Sequence, residues 1–462
     1  MHCLRYLVTL TKWYWSRKVQ RYSGRSGCER IITKHNQGMV QRKLTYRLYP
    51  TAAQAAALEH QRWVHCLLWN MALAERRRVW SERQVSLGFS AQCKQLTEWR
   101  RQSKLLRGLN AQSEQVTLKR LDLAFQHFFR RVKKGETPGF PRFKPLHRFK
   151  GWGYKTHGDG WRLITNERMQ HGTLRLSGVG KVPIRGKPRT PGTPKTCEIL
   201  KKNGRWYASI TLDCKPARKQ GEKMGGLDWG VETFATIATP EATKSIDNPR
   251  YLARTLNAIR RVQQDISRKE KAAKKASGKT RSFPVSNRLR REYERLRRLH
   301  EKVANQRHDF LHQATARLVG EFAVLGLEAL NIKNMTASGG QHKKGLNRSI
   351  LDAAGGAFHR LLRYKAEEAG AWAMEAPTQQ VKPSQTCHAC GRQEKKPLGQ
   401  RRHECPCGAS CSRDENAARV LLAWVEQQLS GREPADAWRT VRPANPPGEP
   451  ARPSKRETHA IA

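Results

Sequence analysis

The sequence predicts an α/β protein of several domains, and three observations carry that expectation. The chain has 462 residues, enough for about three domains of roughly 150 residues each. Its hydrophobic period changes along the length: helical spacing before residue 138, short alternating runs over 139–222, and mixed strands and helices beyond. Five of its 11 cysteines, Cys387, Cys390, Cys405, Cys407 and Cys411, fall within 25 positions, as in a small metal-bound module inserted in a larger fold.

Composition narrows the partners. The chain carries 89 Lys+Arg against 38 Asp+Glu, a formal net charge of +51, while its 13 Trp, 10 Tyr and 12 Phe argue against a disordered chain. Such a charge on a folded protein calls for a polyanion, and nucleic acid is the obvious one. A membrane partner is not expected, because no apolar run approaches the ~18–20 residues of a span. The opening MHCLRYLVTLTKWYWSRK holds only the short apolar stretch Leu7 to Leu10, too little for an export signal. The other six cysteines are scattered and the total is odd. A reduced compartment, the cytoplasm, with a metal site and no disulfide framework is the expectation.

The elements follow in order. Residues 1–38 are basic and aromatic without clear periodicity, and read as a start-codon artefact or a basic arm. VQRKLTYRLYP is a strand ending at Pro50. Thr51 with Gln54 three residues on opens a long helix, and a second helical stretch, 113–134, is stopped by Gly135 and Pro138. Residues 139–215, rich in Gly, Pro and aromatics, alternate in fragments such as TLRLSGVGKVPI and RWYASITLDC, the pattern of a small barrel or sandwich. GGLDWGVETFATIAT (225–239) reads as strand, tight turn, strand. Residues 254–302 form a helical hairpin with 17 Lys/Arg against 5 Asp/Glu, broken at Gly278 and Pro284. A helix through Leu318 leads into the buried strand FAVLGLE. A helix over about 353–369 ends at Gly370, before the strand AWAMEA. The cysteine cluster precedes the helix DENAARVLLAWVEQQL, and the tail from Ser430 is rich in Pro, Arg and Glu, as in a disordered segment.

Two sets of residues carry chemistry. Cys387-His-Ala-Cys390-Gly and Cys405-Pro-Cys407-Gly are two pairs, each followed by a glycine that permits the positive φ of a metal knuckle. Four thiolates make the closed tetrahedral sphere of one structural Zn²⁺. The second pair is one residue shorter than usual, which leaves Cys411, His388 and His403 as alternative ligands. Asp228, Glu328 and Asp414 are the second set. Each taken singly has an ordinary role, as turn residue, strand-end acid and helix cap. Together, at strand or helix ends of a chain so poor in acids, they suit a site for two Mg²⁺ ions about 4 Å apart, the arrangement that cleaves phosphodiesters.

GLDWGVETFATIAT, LGLEALNIKNM and SRDENAAR, with a four-cysteine finger before the last, resemble the split RuvC nuclease of the TnpB family, encoded by bacterial insertion sequences and related to small type V CRISPR effectors. KLTYRLYPTAAQ, LLWNMAL, RLDLAFQHFFRRVKKGETPGFPRFK, NGRWYASITL, KVANQRHDFLHQATARLV and FHRLLRYKAEEAG resemble family segments in family order, so the likeness covers about 40–428. It implies an RNase H-like nuclease with an inserted zinc finger, preceded by a β-barrel wedge domain and a helical recognition domain. The implied domains are 1–38 extension, 39–50 wedge strand, 51–138 recognition helices, 139–222 wedge barrel, 223–384 nuclease parts I and II with the hairpin 254–303, 385–411 finger, 412–429 nuclease part III and 430–462 tail. Asp228, Glu328 and Asp414 are the implied metal-binding catalytic residues. The implied activity is cleavage of DNA beside a short transposon-adjacent motif, directed by a guide RNA from the transposon end. The partners are that RNA, the double-stranded target and its displaced strand, in a bacterial cytoplasm near the nucleoid. Alternatives are an RNA-guided regulator that binds without cutting, a small type V CRISPR effector, and a DNA transposase using the same carboxylate chemistry.

Overall fold

In a computed structural model the chain is described over residues 39–430, except 187–190, 216–217, 279–282, 338–339 and 398. The expectations for the basic extension 1–38 and the tail 431–462 lie outside the described residues. Among the described residues two units emerge, 219–258 with 302–430 and 39–218 with 259–301.

The second of these units joins a curled sheet to a helical layer. Strand β1 (Val40–Leu48) is followed by helices α1 (Ala52–Arg83), α2 (Phe89–Gln102) and α3 (Ala111–Lys133). The box expected at Thr51 forms: its hydroxyl accepts from Gln54 N at 3.3 Å, and Gln54 Oε1 accepts from Thr51 N at 3.1 Å. Val64, Leu68 and Leu73 of α1 bury against Leu96 of α2 and Leu118 and Leu121 of α3. Strands β2 (Gly151–Tyr154), β3 (Trp161–Thr165), β4 (His171–Leu176), β5 (Gly180–Arg185), β6 (Thr193–Lys202) and β7 (Arg205–Cys214) complete a seven-stranded ladder ordered β2-β6-β7-β1-β5-β4-β3. Among the described residues its two ends, β2 and β3, do not pair. All seven strands nevertheless point side chains, including Trp152, Trp161 and Tyr46, into one core. His65 links helices to sheet, with its ring stacked 5.5 Å from Trp152 and its Nδ1 2.9 Å from the Thr117 hydroxyl. Burial pushes its pKa down to about 3, so this histidine is a neutral packing element.

In the other unit β8 (Lys223–Trp229), β9 (Thr233–Ala238) and β10 (Thr243–Asp247) run antiparallel in succession. Helices α4 (Tyr251–Ser277) and α5 (Asn287–Glu321) follow in the chain, their stretch 259–301 belonging to the unit with the curled sheet. Val262, Ile266 and Leu289 pack the two together, with the exposed positions between left to Lys and Arg. The hairpin was expected to end near 302, with a separate helix through Leu318. Instead α5 is continuous to Glu321, because no Gly or Pro interrupts 287–319. It leads into β11 (Phe322–Glu328), then α6 (Gln341–Ala353), α7 (Gly355–Ala369), β12 (Trp372–Ala376), the short hairpin β13 (Arg402–Glu404) and β14 (Ser410–Ser412), and α8 (Arg413–Ser430). Gly370, at φ +81°, ends α7 as expected. The sheet order is β10-β9-β8-β11-β12, with β8, β11 and β12 parallel.

Strand alternation sorts this sheet into two faces. Leu227, Leu325 and Leu327 turn to the side covered by Ile350, Phe358 and Leu362 of α6 and α7. The other face carries the paired Gly226 and Gly326, and there α8 lies against bare backbone. A Cβ at 226 would stand 2.1 Å from Ala418 O and 2.2 Å from Leu422 N; one at 326 would stand 2.5 Å from Val425 Cγ2. Gly226→Val is therefore expected to lift α8 from the sheet and destabilise the fold by about 1–3 kcal/mol or more. A lower Tm and earlier proteolysis within 413–430 would register it, and an unchanged Tm would show that the helix does not depend on this seat.

Candidate active site and metal centre

Asp228 and Glu328 stand one step beyond the Leu227–Leu327 pair, at the C-terminal ends of neighbouring parallel strands. Each lies two residues after a seat glycine, so both share the face that α8 covers. Asp414 is the second residue of α8, in the positive first turn of the helix. It also borders Gly230, whose added Cβ would come within 4.0 Å of Asp414 Oδ2. The three acids, separated along the chain by 100 positions and then by 86, thus meet at one sheet end.

The electrostatics agree with that convergence. Burial, then the charges of Asp414 and Glu328, push the Asp228 carboxyl well above its ordinary value, and only Arg413 pulls it back. Burial also raises Glu328. Among the described residues none of the three forms an ion pair with Lys or Arg. Two desolvated carboxylates, one of them repelled by its acidic neighbours and offset only by Arg413, are costly unless a cation joins them, and an all-oxygen donor set suits a hard divalent ion. A polar cleft of about 540 Å³ opens beside Asp414, with Thr236, Lys244 and Arg401 in its walls. Arg401 pairs with Glu232 across it at 3.2 Å.

The finger brings its four expected thiols together. The Sγ atoms of Cys387, Cys390, Cys405 and Cys407 all lie within 4.8 Å of one another. Cys387 and Cys407 are 3.7 Å apart and Cys390 and Cys405 3.6 Å. A tetrahedron with 2.3 Å Zn–S arms has edges of about 3.8 Å, so the set fits zinc. Gly391 and Gly408 take φ +75° and +89°, the knuckle geometry expected of them. Burial pushes the Cys387 thiol up to about 12, so a thiolate there needs a cation beside it. Of the alternative ligands, Cys411 sits on β14 opposite His403, outside the four. Cys387, His388 and His403 form a second close group, but Asn416 holds the His388 Nδ1 and Lys396 the His403 Nδ1.

Asn416 is the residue that sequence reasoning missed. Fully buried on α8, two positions after Asp414, its Oδ1 accepts from His388 N at 3.0 Å and its Nδ2 donates to Thr386 O at 2.7 Å. One side chain thus bolts the finger to the helix that carries an acid. A buried-looking Asn amid the apolar run of α8 was the available signal.

Comparison with known proteins follows the same segments. Residues 207–339, which include Asp228 and Glu328, match the OrfB_IS605 family, described as "Probable transposase". Residues 356–421, with the finger and Asp414, match the Cas12f1-like TNB domain. A Streptomyces pristinaespiralis protein named as an RNA-guided DNA endonuclease is 30% identical over 396 residues, covering 83% of this chain and 89% of its own. The chain belongs to the TnpB family. InsQ of Escherichia coli K12, named for the same activity, is 26% identical over 82% of this chain and 90% of its own. The structure of a Cas12f1–sgRNA–target DNA complex matches this TnpB-family chain with a TM-score of 0.50 at 12% identity, over 83% of this chain and 99% of the other, a likeness of fold. Residues 39–84 match a family described as a helix-turn-helix domain. In this TnpB-family member they form the strand β1 and the single helix α1.

Two outcomes are expected at this site. Asp228 has a raised pKa, so its ionisation costs stability: the penalty is absent below about pH 4, grows as pH rises from there to the folded value, and is complete above it. Asp228→Asn should therefore raise the Tm of the protein in EDTA at neutral pH by a few degrees, and the gain should vanish in acid; a lowered neutral-pH Tm would contradict the electrostatic account. Asn416→Ala should cost about 1–3 kcal/mol by leaving buried finger groups unpaired, seen as a lower Tm and faster zinc loss to a chelator.

Proposed function

We propose that this chain is an RNA-guided DNA endonuclease of a transposon, with Asp228, Glu328 and Asp414 as its catalytic residues. The convergence of Asp414 on two desolvated carboxylates, Asp228 and Glu328, none of the three in an ion pair with Lys or Arg among the described residues, is the observation that carries the reading. The names of the relatives and the net charge of +51 support it. In this reading 223–384 and 412–429 are the RuvC-type, RNase H-like nuclease and 385–411 its zinc finger. Residues 51–138 are the recognition helices, and 39–50 with 139–222 form the wedge domain. A guide RNA pairs with the target strand next to a short adjacent motif, so the protein itself mainly neutralises phosphate.

Two Mg²⁺ ions bound by the three acids would supply the charge that activates water and stabilises the leaving oxygen. The chain's own part is placement. Asp228 and Glu328 are fixed by the strand ladder, and Asp414 by the seat of α8, so the donors need no search to assemble. Lys244 and Arg401 offer phosphate contacts along the cleft. Cys387, Cys390, Cys405 and Cys407 would hold one Zn²⁺ in a closed sphere, a structural role that leaves no position open for chemistry.

Plasmid cleavage with the co-purified RNA and Mg²⁺ tests the reading. Asp228→Ala should abolish cutting and leave RNA binding within about twofold; cutting retained in a clean preparation would remove Asp228 from the mechanism. Elemental analysis should find about one zinc per chain, and Cys387→Ser should lower both zinc content and Tm. The "Probable transposase" description favours a second reading, a transposase with the same carboxylate chemistry. Strand joining without any RNA would establish that one instead.

A further inference from the structure

The helical layer holds a groove that neither its core nor the proposed nuclease centre uses. It lies between the C-terminal ends of α1 and α3 and encloses about 840 Å³. Trp80 of α1, 53% exposed, forms one wall. Phe125, Phe128 and Phe129 of α3 form the other, closed by Phe140 from the loop beyond. Phe140 stands edge-on to Phe125 and Phe128, at 5.5 Å and 5.2 Å, which holds the phenyl rings as a rigid cluster. Phe129 and Phe140 remain 56% and 46% exposed. Aromatic surface left this open in one place marks a binding site.

Charge selects the occupant. Arg77, at the same wall, sits over the Phe143 ring at 5.5 Å and forms no ion pair among the described residues. The last turn of α3, next in sequence to Phe129, carries Arg130, Arg131 and Lys133, of which Arg131 lies 3.9 Å from Glu136, while Arg78 on the groove wall is paired with Glu75 and Glu82. This positive rim disfavours a second copy of a +51 chain. It also disfavours the chain's own segment 1–38, which holds eight Lys/Arg and one Glu. A polyanion that carries flat rings complements both the rim and the walls. Ser81 and Ser86 also line the groove; the Ser81 hydroxyl donates to Arg78 O at 2.9 Å, which leaves its oxygen to accept from a ribose 2′-hydroxyl, and duplex DNA keeps its own bases stacked inside. We infer that the groove takes an unpaired nucleobase of the bound guide RNA, stacked between Trp80 and Phe129, with the flanking phosphate on the Arg77 side.

The inference rests on the RNA-guided reading, and its test separates the two. Full-length protein is titrated with labelled oligouridylate and oligothymidylate of about 15 nucleotides, over a series of salt concentrations. Trp80→Ala with Phe129→Ala should weaken oligouridylate binding about 5- to 150-fold, the worth of one or so stacked bases, with an unchanged salt slope. Arg77→Gln should instead flatten the slope by about 0.7. The pair Trp80→Phe with Phe129→Tyr keeps stacking faces and should retain wild-type affinity, which separates stacking from damage to the fold. Unchanged oligouridylate affinity in the alanine pair would overturn the groove assignment, as would an equal loss for oligothymidylate or a change in oligomeric mass. A wild-type protein that purifies without RNA and binds none would instead overturn the RNA-guided reading itself.

Discussion

The unit that carries the three acids depends on a helix packed directly on strand backbone. At the register pair Gly226 and Gly326 there are no side chains to hold α8 away, and its own backbone comes to within van der Waals distance of both strands. Strand alternation then does the rest. Two residues on, the same face must carry Asp228 and Glu328, while the first turn of α8 brings Asp414 over them. Any thicker seat would move the third acid outward while leaving the other two in place. The unfavourable electrostatics of the site are thus imposed by packing elsewhere in the sheet, and a stable core on the opposite face, built from Leu227, Leu327, Phe358 and Leu362, sustains them.

Much of this was legible because it is local. Thr51 and Gln54 announce a helix start, paired Cys and Gly announce knuckles, and an acid closing an apolar strand invites notice wherever it occurs. The three acids and four thiols could be named from such signals alone. What could not be read is pairing over distance. β1 lies between β7 and β5, more than 130 residues further along the chain, and no local pattern specifies that insertion. The glycines of GGLD and LGLE were also opaque. In a strand, glycine reads as weakness, and only the helix above it shows that the missing side chain is the function. Helices α2 and α6 escaped notice for a simpler reason: their sequences are polar and charged, and few of their residues are buried to mark a core-facing stripe.

Asn416 alters the standing of the finger. A metal module appended to a loop would be free to move, but here its first knuckle is fastened to the α8 turn that bears Asp414. Arg413 adds to the tie, its backbone N–H donating to Arg401 O at 2.8 Å and its guanidinium to Pro397 O at 2.9 Å. Order in the finger and order in the acid site are therefore parts of one property.

The position of α8 in the chain carries a consequence for biosynthesis. Asp228 and Glu328 are both translated well before Asp414, and the sheet face that α8 seals stays uncovered until the last described helix has been made. A nascent or prematurely terminated polypeptide holds two carboxylates and no third. On the proposed reading, the capacity to cut is withheld from every product that ends before Asp414, so a frameshift or stop codon upstream of Arg413 yields a chain with an incomplete acid site.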